Sequence, residues 1–296
     1  MDMRTRLAGL VGLVGLLGGC ASVPPLPRRA LELNRDGAAA LAAGDLTTAE
    51  ARLGVALEYS PRFTEAWVNL GYVELGRGNL EQARKDFVKA RELNPDVAAP
   101  HHALGVLADR RDLGRDAEDG YRQALKVDPS FAPARANLAR RLFQRGAFEE
   151  AREQYLRLTQ VQPNVLGGHV GLAECLLRLD REGESEDAIG RARARFGDVP
   201  ELVLLVGRQL LRREAFVEAE DVLAPLTGDT DRSRAAAAWA WIGVARRARG
   251  DATASAAVTE ALAMDPTNEV AASLLVSGGA GTPCPRAGQR RPPRCR

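Results

Sequence analysis

The stretch Trp67–Pro95 reads WVNLGYVELGRGNLEQARKDFVKARELNP, and its spacing describes one helical hairpin. Trp67, Leu70, Phe87 and Ala90 recur at helical intervals and supply apolar contacts within the hairpin and to whatever packs on it. Gly71 and Ala83 lack bulk, so two antiparallel helices can approach where a leucine would hold them apart. Gly78 opens the turn between them. Pro95 stops the second helix, because it has no N–H and disfavours a helical residue before it.

The same marks return at a fixed interval of 34 residues. Prolines stand at Pro61, Pro95, Pro129 and Pro163, and small residues at Ala49, Ala83, Ala117 and Ala151. Gly37, Gly71 and Gly105 are followed in phase by Ala139, and a large apolar site runs Leu53, Phe87, Tyr121, Tyr155. A 34-residue hairpin with these residues in these places resembles the tetratricopeptide repeat. The resemblance implies an all-α solenoid of about six to seven helix-turn-helix repeats, wound as a right-handed superhelix and closed by a C-terminal capping helix.

On that register the units run about 30–63, 64–97, 98–131, 132–165, 166–199, 200–231 and 235–268. The pattern weakens after Pro163: Ser185 takes the alanine site and Gly197 the proline site. The polar run Thr227–Arg234 reads as a loop. Asn268–Ser277 reads as a final helix covering the last hairpin, since a repeat array needs an end cap. Residues 278–296 hold four prolines and five arginines with almost nothing apolar, a composition that cannot bury enough surface to fold. The whole array, 30–277, counts as one domain.

Composition agrees with helices. Apolar residues make up 45% of the 296 but aromatics only 5%, and the formal charge of +2 is close to balance, which gives no case for nucleic acid.

The N-terminus reads as an export signal over residues 1–19. Arg4 and Arg6 precede the apolar run Leu7–Leu17, about 16 Å of helix against the roughly 30 Å of a bilayer core. That run is too short to span and suits a cleaved signal peptide. Its end, Leu17-Gly18-Gly19-Cys20, resembles the lipobox of bacterial lipoproteins, which implies that Cys20 becomes the lipidated first residue. Ala21 after the cysteine leans the resemblance toward the periplasmic face of the outer membrane. Pro24, Pro25 and Pro27 make residues 20–29 a stiff tether.

No enzyme motif is present: there is no phosphate-binding loop, nucleophile elbow or metalloprotease helix. The reading is of a non-enzymatic chain with no cofactor, no metal and no small-molecule substrate. His101 and His169 occupy the repeat's tryptophan site, which favours packing over metal ligation. His102 points about 100° away from His101. Cys175 reads as a buried small apolar residue. Cys284 and Cys295 could pair with each other or a partner in an oxidising compartment, or be incidental. The tail arginines could touch anionic lipid, glycan or an acidic protein, or simply be solvated.

In the family that this chain resembles, the first helix of each repeat lines the inner, concave face. That implies a partner-binding groove of Glu65, Val68, Asn69 and Tyr72, then His102, Val106 and Arg110, then Asn137, Arg140 and Phe143, then Glu174 and Arg178, then Arg208 and Arg212. Asn69 and Asn137 would grip peptide amides, Tyr72 and Phe143 would anchor, and the four arginines from Arg140 onward would make the later half basic. The partner is a protein, held as a peptide or helix, and the membrane is reached through the N-terminal lipid. The layout of signal, lipobox, tether and repeats is similar to that of the pilotins, lipoproteins that help a type IV pilus secretin assemble. A regulatory or substrate-recruiting adaptor of a periplasmic enzyme, such as a peptidoglycan hydrolase or a polysaccharide export system, is the alternative.

Overall fold

The computed structural model describes residues 25–276. The export signal, Cys20, the first part of the tether, and the tail with Cys284 and Cys295 lie outside the described residues. Among the described residues there are fifteen α-helices and no strand. They pair as hairpins: α1 (Arg28–Ala42) with α2 (Leu46–Tyr59), α3 (Thr64–Gly76) with α4 (Leu80–Leu93), and α5 (Ala98–Arg110) with α6 (Gly114–Val127). Then come α7 (Ala132–Gln144) with α8 (Phe148–Val161), α9 (Leu166–Arg178) with α10 (Glu182–Phe196), and α11 (Pro200–Arg212) with the short α12 (Phe216–Leu223). The seventh pair is α13 (Arg232–Ala248) and α14 (Ala254–Met264), and α15 (Glu269–Val276) packs on both.

Each helix packs on the next, and the first helices also meet one another, α1 on α3, α3 on α5, α7 on α9, α9 on α11 and α11 on α13. The result is the expected solenoid, in which neighbouring hairpins bury each other's faces.

Three sequence features set the shape of each hairpin. The first is the bare backbone where the helices cross. A Cβ on Gly71 would lie 2.4 Å from the Phe87 ring, and one on Gly105 2.8 Å from Tyr121. Phe87 and Tyr121 fill that space and are fully buried, as is the alanine beside each crossing, Ala83 and Ala117. In the fourth hairpin Ala139 already occupies the place. Tyr155 therefore turns to the next hairpin, where a Cβ on Gly171 would be 2.3 Å from its ring.

The second feature is the turn. Gly44, Gly78, Asp112, Gly146, Asp180 and Glu214, each 34 residues after the last, all have positive φ between 56° and 83°. That left-handed residue lets the following amide close the helix end, as Asn79 N donates to Glu74 O at 2.9 Å. Glycine adopts it freely and Glu214 does not.

The third is the proline corner. Trp67 Nε1 donates to the Pro61 carbonyl at 2.9 Å, and His101 Nε2 and His169 Nε2 stand 2.9 Å from the carbonyls of Pro95 and Pro163. Arg135 does the same at Pro129. The tryptophan site thus selects an N–H donor as well as bulk. Since a carbonyl only accepts, His101 and His169 carry their proton on Nε2.

Outside, the arginine that caps α3, α5, α7, α11 and α13 reaches the second helix of the preceding hairpin: Arg77 to Glu50 at 2.6 Å, Arg145 to Glu118 at 2.9 Å, Arg249 to Glu220 at 3.2 Å, with Arg111–Glu81 and Arg213–Glu186 alike. Where both partners are exposed, water and salt screen the pair and it adds little to stability; Glu118 alone among these carboxylates is buried.

Two expectations need correction. Residues 227–234 are not one loop: a 3-10 turn covers Ala224–Gly228, and Asp231 caps α13 by accepting from Ser233 N at 2.9 Å, so Arg232–Arg234 are already helical. The tether also ends early, because α1 starts at Arg28 once Pro27 is passed.

Gly71→Ala is expected to lower stability by about 1–3 kcal/mol through overpacking against Phe87. Glu214→Gly is expected to raise it by about 1 kcal/mol by relieving left-handed strain. Urea denaturation of the two variants beside the parent checks both signs.

Candidate functional site

Among the described residues no three or more His, Cys, Asp or Glu side chains gather as metal ligands, and no helix is long and apolar enough to cross a membrane. Cys175 is fully buried, and burial pushes its thiol up to about 12, so it is packing material. The surface with the most organised chemistry is the face built by the first helices.

There the side chains link from one repeat to the next. Asn69 Nδ2 donates to Asn34 Oδ1 at 2.9 Å. Tyr72 Oη lies 3.2 Å from His102 Nδ1, Asn137 Nδ2 lies 2.9 Å from His102 Nε2, and Arg140 Nη2 donates to Asn137 Oδ1 at 3.0 Å. The His102 ring sits between Phe131 and Tyr121, with centroids at 5.5 and 5.6 Å. Burial lowers its pKa to about 4, so it is neutral at ordinary pH. Behind it, the Tyr121 hydroxyl donates to Asp109 at 2.5 Å, and Asp109 pairs with Arg141 at 3.1 Å.

Further along, Phe143 packs edge-on against Phe148 with centroids 5.2 Å apart, and the Arg178 guanidinium lies 5.6 Å from one ring and 5.8 Å from the other. Arg208 is ion-paired with Glu174 and lies 5.3 Å from the Trp241 ring. Arg212 pairs with Asp180. Val68 is buried, Val106 packs partly buried into the core, and Glu65 and Arg110 are exposed at either side of the linked group.

This arrangement corrects the expectation that the later half is basic. Arg208 and Arg212 are neutralised by carboxylates of the preceding repeat, which leaves Arg140 and Arg178 as cations held by an amide and by rings. Asn69 and Asn137 likewise spend part of their hydrogen-bonding capacity on neighbouring helices. Several participants were absent from the sequence reading: Asn34, Asp180 and Trp241, and behind them Asp109, Phe131, Arg141 and Phe148. The register carries a signal for two of the links, since Asn34 to Asn69 and His102 to Asn137 both span 35 residues, one more than the repeat. Trp241 had no such signal, because the seventh repeat is out of phase.

The His102 environment generates a pH dependence. Its folded pKa, about 4, lies below the ordinary value of about 6.5, so between the two the unfolded chain binds more protons and stability rises with pH. The contribution is full above about pH 6.5 and is lost as pH falls toward 4. Asp86, raised to about 6 by burial, acts with the opposite sign between its ordinary value and 6. The groups facing His102 are Tyr72 from α3, Tyr121 from α6, Phe131 and Asn137, with Arg140 bonded to the far side of the Asn137 amide. His102→Gln is expected to lose about 1–2 kcal/mol less than the parent between pH 7 and pH 5, measured by urea denaturation at both.

Tetratricopeptide repeat models match residues 40–107, 102–165 and 137–192, together more than half of the chain. The chain is 34% identical over 96 residues to the type IV pilus assembly protein PilF of Pseudomonas aeruginosa, a match covering 32% of this chain and 38% of PilF. It is 36% identical over 96 residues to mouse superkiller complex protein 3, covering 32% and 6%. The chain thus spans well under half the length of these relatives. Among solved structures, P. aeruginosa PilF superposes with a TM-score of 0.56 at 22% identity over 72% of this chain and 96% of that one. PilW, a type IV pilus biogenesis factor, gives 0.58 at 18% over 69% and 94%. At these identities the likeness is one of fold, and together with the matched repeats it makes the chain a member of the tetratricopeptide repeat family.

Proposed function

We propose that this protein is a non-enzymatic adaptor of the bacterial envelope that holds a segment of a partner protein on the face built by its first helices. The observation that carries the reading is the linked group Tyr72–His102–Asn137–Arg140, flanked by Phe143 and Arg178: aromatic and amide chemistry spread over three repeats, suited to a polypeptide and lacking a nucleophile–base pair. Sparse anchors within such a face dominate affinity, and Tyr72 and Phe143 are the anchors here.

The similarity to PilF supports type IV pilus assembly as the setting, with an envelope secretin or another pilus component as the partner. The sequence Leu17-Gly18-Gly19-Cys20 supports anchoring by lipid on Cys20, with the repeats facing the periplasm from the outer membrane. Several acyl chains on one residue would hold the chain firmly.

Two experiments test the reading. A pull-down from detergent-solubilised envelopes is expected to recover a pore-forming outer-membrane protein, and Asn137→Ala with Arg140→Ala is expected to abolish it; undiminished recovery contradicts the groove. Cys20→Ala is expected to leave helicity intact and release the protein from membranes after a carbonate wash; retention contradicts the lipid anchor.

A further inference from the structure

The polarity of the inner-face hydrogen bonds can be worked out from one end. Arg140 has donors and no acceptor, so the Asn137 atom it meets at 3.0 Å is the carbonyl Oδ1. Asn137 must then turn its amide hydrogens to His102, and Nε2, 2.9 Å away, must accept. A neutral imidazole that accepts at Nε2 carries its proton on Nδ1. That proton faces Tyr72 Oη at 3.2 Å, and the tyrosine oxygen accepts it. The hydroxyl hydrogen of Tyr72 is left over, with no acceptor among the described residues.

We propose that Tyr72, His102, Asn137 and Arg140 form one relay of fixed polarity that makes the Tyr72 hydroxyl an obligate donor to the bound segment, which therefore presents a carbonyl or carboxylate oxygen at the second repeat. The inference rests on the reading of this face as a polypeptide site and adds to it the chemistry required at one position. It makes Tyr72 a specificity-determining residue and Arg140, two repeats away, its positioning residue.

The relay predicts an unusual distribution of tautomers. His101 and His169 donate from Nε2 to proline carbonyls, whereas His102 must be protonated at Nδ1. Long-range proton–nitrogen NMR spectra of the 15N-labelled protein at neutral pH should show two histidines of one kind and one of the other. Asn137→Asp places an acceptor opposite Nε2 and should move the His102 proton there. His101 and His169 should stay unchanged, which reports that the hairpins remain folded. Acetate, an acceptor with no donor, serves as the ligand probe. It is expected to shift the Tyr72 ring signals saturably, with Tyr72→Phe weakening its binding about tenfold, while methylammonium, a donor only, leaves those signals alone.

A His102 proton on Nε2 in the parent, or equal responses to acetate and methylammonium, overturns the relay. Either result leaves the groove reading standing, since that is decided by the pull-down.

Discussion

Everything in this molecule depends on how near two helices of one hairpin can come, and that is set by a missing side chain. Where Gly71 faces Phe87, a single Cβ would stand 2.4 Å from the ring, far inside contact distance. The space lets an aromatic side chain lie flat across the crossing and be fully buried. Because the same pair returns 34 residues later as Gly105 and Tyr121, successive hairpins have the same thickness and can stack in register. A stack of equal units places residues 34 or 35 apart on neighbouring first helices side by side, which is how Asn34 meets Asn69 and Glu174 meets Arg208. The inner face is thus a product of the crossing.

The fourth hairpin shows what happens when the constraint is relaxed at one place. Ala139 fills the gap, Tyr155 is displaced toward Gly171, and the contact that would have been internal to one hairpin becomes a bridge to the next. Tyr155 packs against both neighbouring core clusters. The stacking survives because bulk lost from one side is supplied from the other, as close-packed interiors require.

The fold was legible in the chain because its cause is local: small residues, turn residues and prolines each act within one hairpin and repeat with one period. The turn keeps its phase even at Asp112, where a non-glycine holds the left-handed backbone. The linked inner face was less legible. The family resemblance pointed to the first helices and to Asn69, Tyr72, His102, Asn137 and Arg140, but not to what they touch. Whether an arginine is free or paired depends on the residue one repeat back, so Arg208 and Arg212 read as a basic surface until Glu174 and Asp180 are placed beside them. The N–H donor role of the tryptophan site was hidden for a different reason, since Trp67, His101, Arg135 and His169 look unrelated until their common proline carbonyl is seen.

The central claim is that a stack of equal hairpins exists here to present one face to another polypeptide. Photo-crosslinking in living cells tests it most directly, with the reactive residue placed in turn at Val106 and Arg110 on the inner face and at Lys126 and Arg157 on second helices. The account predicts one discrete protein adduct from the inner positions and none from the second helices. Adducts of equal yield from both sets, or none from either in envelopes that contain the protein at its natural level, would contradict it.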